Sequence, residues 1–176
     1  ACWAAVLRAV PGSRLLLKAY QLESSGARDH VRSVLRAQGI DEDRVLLEGW
    51  AAGFDDHLAQ YHRVDVALDP FPYNGTTTTL EALWMGVPAI TLASRAPVGR
   101  IGQSLMTNLG LADWVAFDEE SYVSKAAGFA GDIDSLARLR SGMRERMRAS
   151  PVMDEQGFAN DVENAYREMW QHWCVS

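Results

Sequence analysis

An α/β domain, with a parallel sheet and helices on both of its faces, is the fold this chain predicts, and three observations predict it. Short apolar runs of strand type alternate with stretches of helical periodicity. The alternation has the spacing of crossover connections between parallel strands. Stop and turn residues fall at the joints: Pro11-Gly12, Gln38-Gly39, Pro70, Gly86 and Pro88.

The elements follow in order. Residues 1–9 read as the end of a helix, stopped by Pro11-Gly12. "RLLLKAY" (14–20) is a first strand, and "ARDHVRSVLRAQGI" (27–40) a helix carrying Val31, Val34 and Leu35 before Gln38-Gly39 stops it. "RVLLEGW" (44–50) is a second strand. "FDDHLAQYHRV" (54–64) is helical, with Leu58 and Tyr61 three apart, and "VDVALDP" (64–70) is a third strand ended by Pro70. Leu80, Leu83, Trp84 and Val87 fall at i, i+3, i+4 and i+7, one face of a helix. "PAITLA" (88–93) is a fourth strand, "RIGQSLMTNLG" (100–110) a helix with a terminal glycine, and "DWVAF" (113–117) a fifth strand. Helices over 118–130, 132–149 and 155–173 complete the chain. The last carries Phe158, Val162, Tyr166, Met169, Trp170 and Trp173 on one stripe, the pattern of core packing.

The 176 residues suit one domain with a proper core. A hydrophobic share of 48% beside 23% charged residues is that of a soluble globular domain. The formal net charge of −6 argues against a general binder of nucleic acid or membrane surface, yet leaves room for a site for one anionic small molecule. No apolar run approaches the ~20 residues that span a bilayer, and no signal peptide is expected from this stretch. The start, "ACWAAVLRAV", lacks Met and lies inside a helical pattern, so it reads as a piece of something longer. Cys2 and Cys174, near opposite ends, read as two free thiols of a reducing, cytoplasmic compartment, and no CxxC, HExxH or other metal-ligand spacing occurs.

In this fold class ligands sit beyond the carboxyl ends of the strands. The loops there are "GWAAGFDDH", "DPFPYNGTTTT" and "ASRAPVGR". The threonine run is the unusual one. Threonine is β-branched and a mediocre helix former, so four in a row do not serve helix stability. A helix beginning inside the run exposes about four unpaired N–H groups and roughly half a positive charge, an anion site. Gly75 permits close approach of a ligand or of backbone. The competing reading is a helix cap, because Thr78-Thr79-Leu80-Glu81 matches the capping box T-x-x-E. That accounts for one threonine and the glutamate and leaves Thr76, Thr77 and Asn74-Gly75 unexplained; both readings stay open at this point. No P-loop motif and no G-x-G-x-x-G after a strand occurs.

"HLAQYHRVDVALDPFPYNGTTTTLEALWMGVPAITL" closely resembles the O-GlcNAc transferase family, including its SPINDLY-like members with N-terminal tetratricopeptide repeats. "MRASPVMDEQGFANDVENAYREMWQHWC" resembles that family's C-terminus. The resemblance implies a Rossmann-like lobe, the C-terminal, donor-binding half of a GT-B glycosyltransferase. The whole enzyme would transfer GlcNAc or a related sugar from UDP-GlcNAc to protein Ser/Thr hydroxyls, with inversion, without a metal or other cofactor. Carried over by position, Thr76, Thr77 and Thr78 would hold the diphosphate, with Gly75 before them. Glu81 would meet the ribose hydroxyls, His57 would stack on the uracil, and Ala52 would offer backbone contacts to the uracil edge.

No catalytic residue is expected within the chain itself, which alone should bind nucleotide weakly and catalyse nothing. The resemblance places the family's phosphate-binding lysine and its histidine-bearing lobe upstream of residue 1. "PVGRIGQSL" (97–105) departs from the family's A-S-R-V-G-x-S-L, with Gly99 in the Ser place and Arg100 kept. Arg100, a cation at a helix start, either faces phosphate or is a solvated surface arginine. The partners implied are a nucleotide-sugar donor and, in the full-length enzyme, a protein acceptor, with neither nucleic acid nor membrane. An isolated lobe would expose its cleft face, so self-association is an expectation. Two alternatives stand beside this reading: a non-catalytic binding module, and another GT-B-like enzyme such as a sugar-nucleotide epimerase. His30, His62 and His172 have no ligand spacing and read as surface or core histidines. Asp69 reads as a strand-end turn carboxylate, and Trp50 as core or lobe-interface packing.

Overall fold

The structure, a computed structural model, describes residues 1–175. Its main elements are α1 (Cys2–Ala9), β1 (Leu15–Lys18), α2 (Ser25–Arg36), β2 (Val45–Glu48), α3 (Phe54–Ala59), β3 (Ala67–Leu68), α4 (Thr77–Trp84) and β4 (Ala89–Leu92), followed by α5 (Ile101–Asn108), β5 (Val115–Ala116), α6 (Glu119–Gly131), α7 (Ile133–Arg148) and α8 (Glu155–Val175). Each strand and helix expected from periodicity is present, with strands shorter than their apolar runs.

All strand pairs are parallel. β1 pairs with β2 in the register Leu15–Val45 to Lys18–Glu48. β4 lies between β3 and β5, with Ala67 opposite Ala89 and Thr91 opposite Val115. The expected sheet is therefore present in two hydrogen-bonded pieces, β1-β2 and β3-β4-β5. The reason is the brevity of β3: Ala67 and Asp69 both direct their N–H groups to β4, at Pro88 O and Ile90 O, and the chain leaves the sheet at Pro70, which has no N–H.

Burial explains the layering. Leu83, Ile90, Met106, Ala116, Tyr122 and Met143 form the larger core between the β3-β4-β5 sheet and α4–α7. Ala4, Leu7, Leu15, Leu35, Ile40 and Val45 form a smaller one around the other sheet. Trp3 and Leu68 pack against both, so the two cores form one body. Helix starts are capped by aspartates from within the sequence: Asp118 accepts from Ser121 N at 2.6 Å and Asp132 from Ser135 N at 3.0 Å. Each cap holds its carboxylate below the ordinary range through those N–H bonds.

One packing expectation is overturned, and one is narrowed: of core or lobe-interface packing, the core is excluded for Trp50. The α8 stripe is not core: Phe158, Tyr166, Met169, Trp170 and Trp173 are exposed, and no α8 residue is buried. The helix packs chiefly on the turn at Pro151–Met153 and otherwise runs past the body, so the described chain offers nothing to cover its apolar side. Trp50 is also exposed, at 74%, and meets the edge of Tyr20 at 6.4 Å between ring centres; it sits on the loop after β2, beyond the reach of either core. Cys2 is buried and Cys174 exposed, and both are free. No described helix is long and apolar enough to cross a membrane.

Candidate functional site

The carboxyl ends of β1, β2 and β3 lead to one region, and a buried carboxylate organises it. Asp69 follows β3 at 3% exposure. Its Oδ1 accepts from Gly75 N at 2.8 Å and from the Thr79 hydroxyl at 3.2 Å; its Oδ2 accepts from the Thr91 hydroxyl at 2.7 Å. Burial pushes the carboxyl up from its usual value, and these three donors pull it back. The strand-end turn expected of Asp69 is thus a frame that folds the chain from β3 back under α4. Gly75 suits it because a Cβ would stand 2.6 Å from the Thr79 hydroxyl and 2.8 Å from that of Thr78.

Asn74, fully buried, ties this loop to the next. Its Nδ2 donates to Pro70 O at 3.0 Å and its N–H to Val98 O at 3.1 Å, while Oδ1 accepts from Gly102 N at 3.4 Å. The starts of α4 and α5 are therefore held side by side.

The start of α4 answers the question of the threonines. Thr76 is the cap residue, and no side chain caps the helix. Leu80 N bonds back to Thr76 O at 3.0 Å, whereas the N–H groups of Thr77, Thr78 and Thr79 meet no acceptor among the described residues. The capping box does not form: Thr78 lies inside the helix rather than at its cap position, and Glu81 turns to α3. Thr76, Thr77 and Thr78 are exposed, and their hydroxyls meet no partner among the described residues. Three unpaired N–H groups, three hydroxyls and the positive end of a helix share one small surface, which is what an anion with several oxygens requires.

Glu81 and His57 meet beside it. His57 Nε2 lies 2.8 Å from Glu81 Oε2, and the Tyr61 hydroxyl reaches the same oxygen at 3.4 Å and Thr78 O at 3.2 Å. Tyr61 is pushed up to about 12, first by burial and then by the Glu81 charge and hydrogen bond. Phe54 stacks on His57 with ring centres 6.3 Å apart, and Tyr61 meets its edge at 5.7 Å. Lys18, the last residue of β1, places Nζ 2.5 Å from His57 Nδ1. A groove of about 810 Å³ between the two sheets has Lys18, His57, Tyr61, Asp69, Thr78 and Thr79 in its lining.

Of the residues singled out from sequence, the fold brings together Gly75, Thr76–Thr78, Glu81 and His57. Ala52 lies exposed in the loop that opens α3, without a bond to the others. Arg100 caps α5 on the neighbouring helix start, exposed, its Nε donating to Ser94 O at 3.4 Å. His30 and His62 are on the surface. Sequence reasoning missed Lys18, Tyr61 and Asn74. The signal for Lys18 was present, as it is the one charged residue closing the apolar strand "LLLK" at its carboxyl end. No cluster of three or more His, Cys, Asp or Glu side chains fit for a metal occurs among the described residues.

The model of glycosyl transferase family 41 matches residues 1–162. The chain belongs to this family. It is 42% identical over 172 residues to the Hordeum vulgare protein named "Probable UDP-N-acetylglucosamine--peptide N-acetylglucosaminyltransferase SPINDLY", covering 98% of the chain and 18% of that relative. The Arabidopsis thaliana protein of the same name is 40% identical over 98% of the chain and 19% of its own length. Among solved structures, a mutant of Thermobaculum terrenum O-GlcNAc transferase superposes with a TM-score of 0.89 at 39% identity, over 98% of this chain and 33% of that one. The family 41 chain described here thus spans about a fifth of these curated relatives, and its fold is that of a lobe of a GT-B glycosyltransferase.

Proposed function

We propose that this chain is the donor-binding lobe of an inverting glycosyltransferase that moves GlcNAc from a UDP-sugar to Ser/Thr hydroxyls of proteins, without a metal. The uncapped start of α4 carries the reading: the N–H groups of Thr77–Thr79 and the hydroxyls of Thr76–Thr78 stand unpartnered beside Glu81 and His57. The names borne by the relatives support the donor and the acceptor class.

In this reading the diphosphate lies on the helix start. Glu81 turns one carboxylate oxygen to the ribose, His57 faces the base, and Ala52 borders it. Arg100, on the adjoining helix start, lies toward the phosphates. As the sugar leaves, negative charge grows on the diphosphate. Fixed N–H and O–H donors stabilise that charge more in the transition state than in the ground state. Loss of one such donor costs about 10²–10³ in kcat in comparable sites. The acceptor side belongs to the rest of the protein, and the reaction would run in the cytoplasm. The complete threonine run with Glu81 favours this reading over a non-catalytic module. The exposed α8 stripe supports self-association of the chain on its own.

Calorimetric titration with UDP, GDP and UDP-GlcNAc, alongside a Thr77→Ala, Thr78→Ala double variant, tests it. The expected result is saturable UDP binding that falls at least about tenfold in the double variant, the order expected for losing charge-assisted hydrogen bonds, with unchanged thermal unfolding. A double variant that binds UDP like the parent would sink the proposal.

A further inference from the structure

Donor binding by the threonines, Glu81 and His57 leaves Lys18 without a task. Its side chain is half-buried at the end of β1, and its ammonium points into the site, at the imidazole of His57. It makes no ion pair among the described residues, and the nearest carboxylate pair, Arg63–Glu48, does not involve it. A lysine at this depth pointing at a ring nitrogen rather than at a carboxylate calls for an explanation.

We infer that Lys18 is a positioning residue that sets the tautomer and the plane of His57, and through it the free oxygen of Glu81, for nucleotide binding; this rests on the reading of His57 as the residue facing the base. An ammonium can only donate, so Nδ1 of His57 accepts and carries no proton. The ring proton then sits on Nε2, which donates to Glu81 Oε2 at 2.8 Å. His57 is therefore a neutral Nε2–H imidazole, and its contact with Glu81 is a hydrogen bond to a carboxylate rather than an ion pair. Two bonds on opposite ring nitrogens, with Phe54 and Tyr61 against the ring, leave it no rotation. Glu81 Oε2 is engaged twice, by His57 and by Tyr61. Oε1 is thereby the oxygen left to a ligand. The chain Lys18–His57–Glu81–Tyr61 runs from β1 through α3 to α4, and Tyr61 extends it to Thr78 O in the anion site. Lys18, which only donates, fixes Nδ1 as an acceptor, and Glu81, which only accepts, agrees with it at Nε2.

The test is ¹⁵N–¹H correlation spectroscopy of the imidazole nitrogens at neutral pH, in the parent, Lys18→Met and Lys18→Arg. A His57→Gln sample assigns the signal among the four histidines. Each protein is also titrated with UDP and with uridine. The parent should show a single Nε2–H tautomer for His57. Lys18→Met should show a mixture of tautomers and lose about tenfold in affinity for both ligands, as expected for a group that loses a charge-assisted partner. Lys18→Arg, which still donates, should keep the tautomer and most of the affinity. A tautomer that survives the loss of Lys18 overturns the inference, as does an affinity that ignores a change of tautomer. A loss confined to UDP, with uridine bound as before, overturns it too, since Lys18 would then be touching phosphate directly. If the parent binds neither ligand, the reading of the site as a nucleotide pocket fails, and the tautomer comparison still decides what Lys18 does to His57.

Discussion

Thr91 donates its hydroxyl to Asp69 Oδ2 at 2.7 Å, with Thr91 fully buried and Asp69 nearly so. This bond joins the middle of β4 to the end of β3, and the anion site hangs from it through Gly75 and Thr79. Among the described residues no cation pairs with Asp69, so its charge rests on three neutral donors. Burial raises its native pKa above the unfolded value. The sign follows: the contribution of this group to stability is fully present below the ordinary carboxylate range and is lost as pH rises through the raised native value. Thr91→Val removes a donor and should raise the native value further, steepening that loss. It should cost about 1–3 kcal/mol at neutral pH and less in acid. Asp69→Asn should remove this group's share of the pH dependence. Urea midpoints from about pH 4, near the ordinary aspartate value, up to neutrality check both; identical pH profiles in parent and Asp69→Asn would contradict the account.

The four threonines divide into three that face outward and one that faces in. Thr79→Val should lower stability by about 1–2 kcal/mol, because a buried donor to Asp69 is lost. Thr78→Val should change stability by less than about 0.5 kcal/mol, as exposed substitutions do, and should weaken UDP binding. Denaturation and UDP titration of the two single variants separate these effects. Equal losses of stability would mean that the outward hydroxyls are structural.

Tyr61 should resist ionisation up to about pH 12. Burial and the negative charge of Glu81 both disfavour a phenolate. In Glu81→Gln the titration should move down, since two of the three causes vanish. Ultraviolet titration of the parent, Tyr61→Phe and Glu81→Gln reads this directly, with Tyr61→Phe identifying the missing step. A Tyr61 that ionises at the ordinary tyrosine value in the parent would show that the hydroxyl does not lie against Glu81.

Gly102→Ala should destabilise by about 1–3 kcal/mol, the usual range for overpacking. A Cβ there would stand 2.1 Å from the Thr91 hydroxyl and 2.4 Å from Asp69 Oδ2, both buried. UDP binding should weaken with it, because the frame under α4 must shift. Thermal unfolding that matches the parent would show that this frame is softer than its contacts imply.

Replacing Phe158, Trp170 and Trp173 by Ser should leave the unfolding midpoint within about 0.5 kcal/mol of the parent for each change, because all three are exposed. Denaturant melts measure it. A loss of several kcal/mol would place the stripe against the body after all.

Most of the fold was legible because periodicity and stop signals are local. The joint at Pro11-Gly12, the strand ended by Pro70, and the helix face of Leu80, Leu83 and Trp84 each state their own geometry within a few residues. The start of α4 was legible for the same reason, although the T-x-x-E spacing fitted a capping box equally well; the choice between them fell to His57, which takes Glu81 away from the cap from 24 residues upstream. The α8 stripe was misread because periodicity reports that a helix has an apolar side and says nothing of what covers it.

By itself, then, the sequence determined the order of strands and helices, the helix start within the threonine run and the family to which the chain belongs, all properties of neighbouring residues or of matched spacing. Only the tertiary structure decided that Asp69 is buried under three donors, that Lys18 faces His57 across 39 residues of chain, and that α8 stands uncovered. Those depend on which distant segments the packing brings within hydrogen-bond reach, and a hydrogen bond is decided over about 3 Å of space, whatever the distance along the chain.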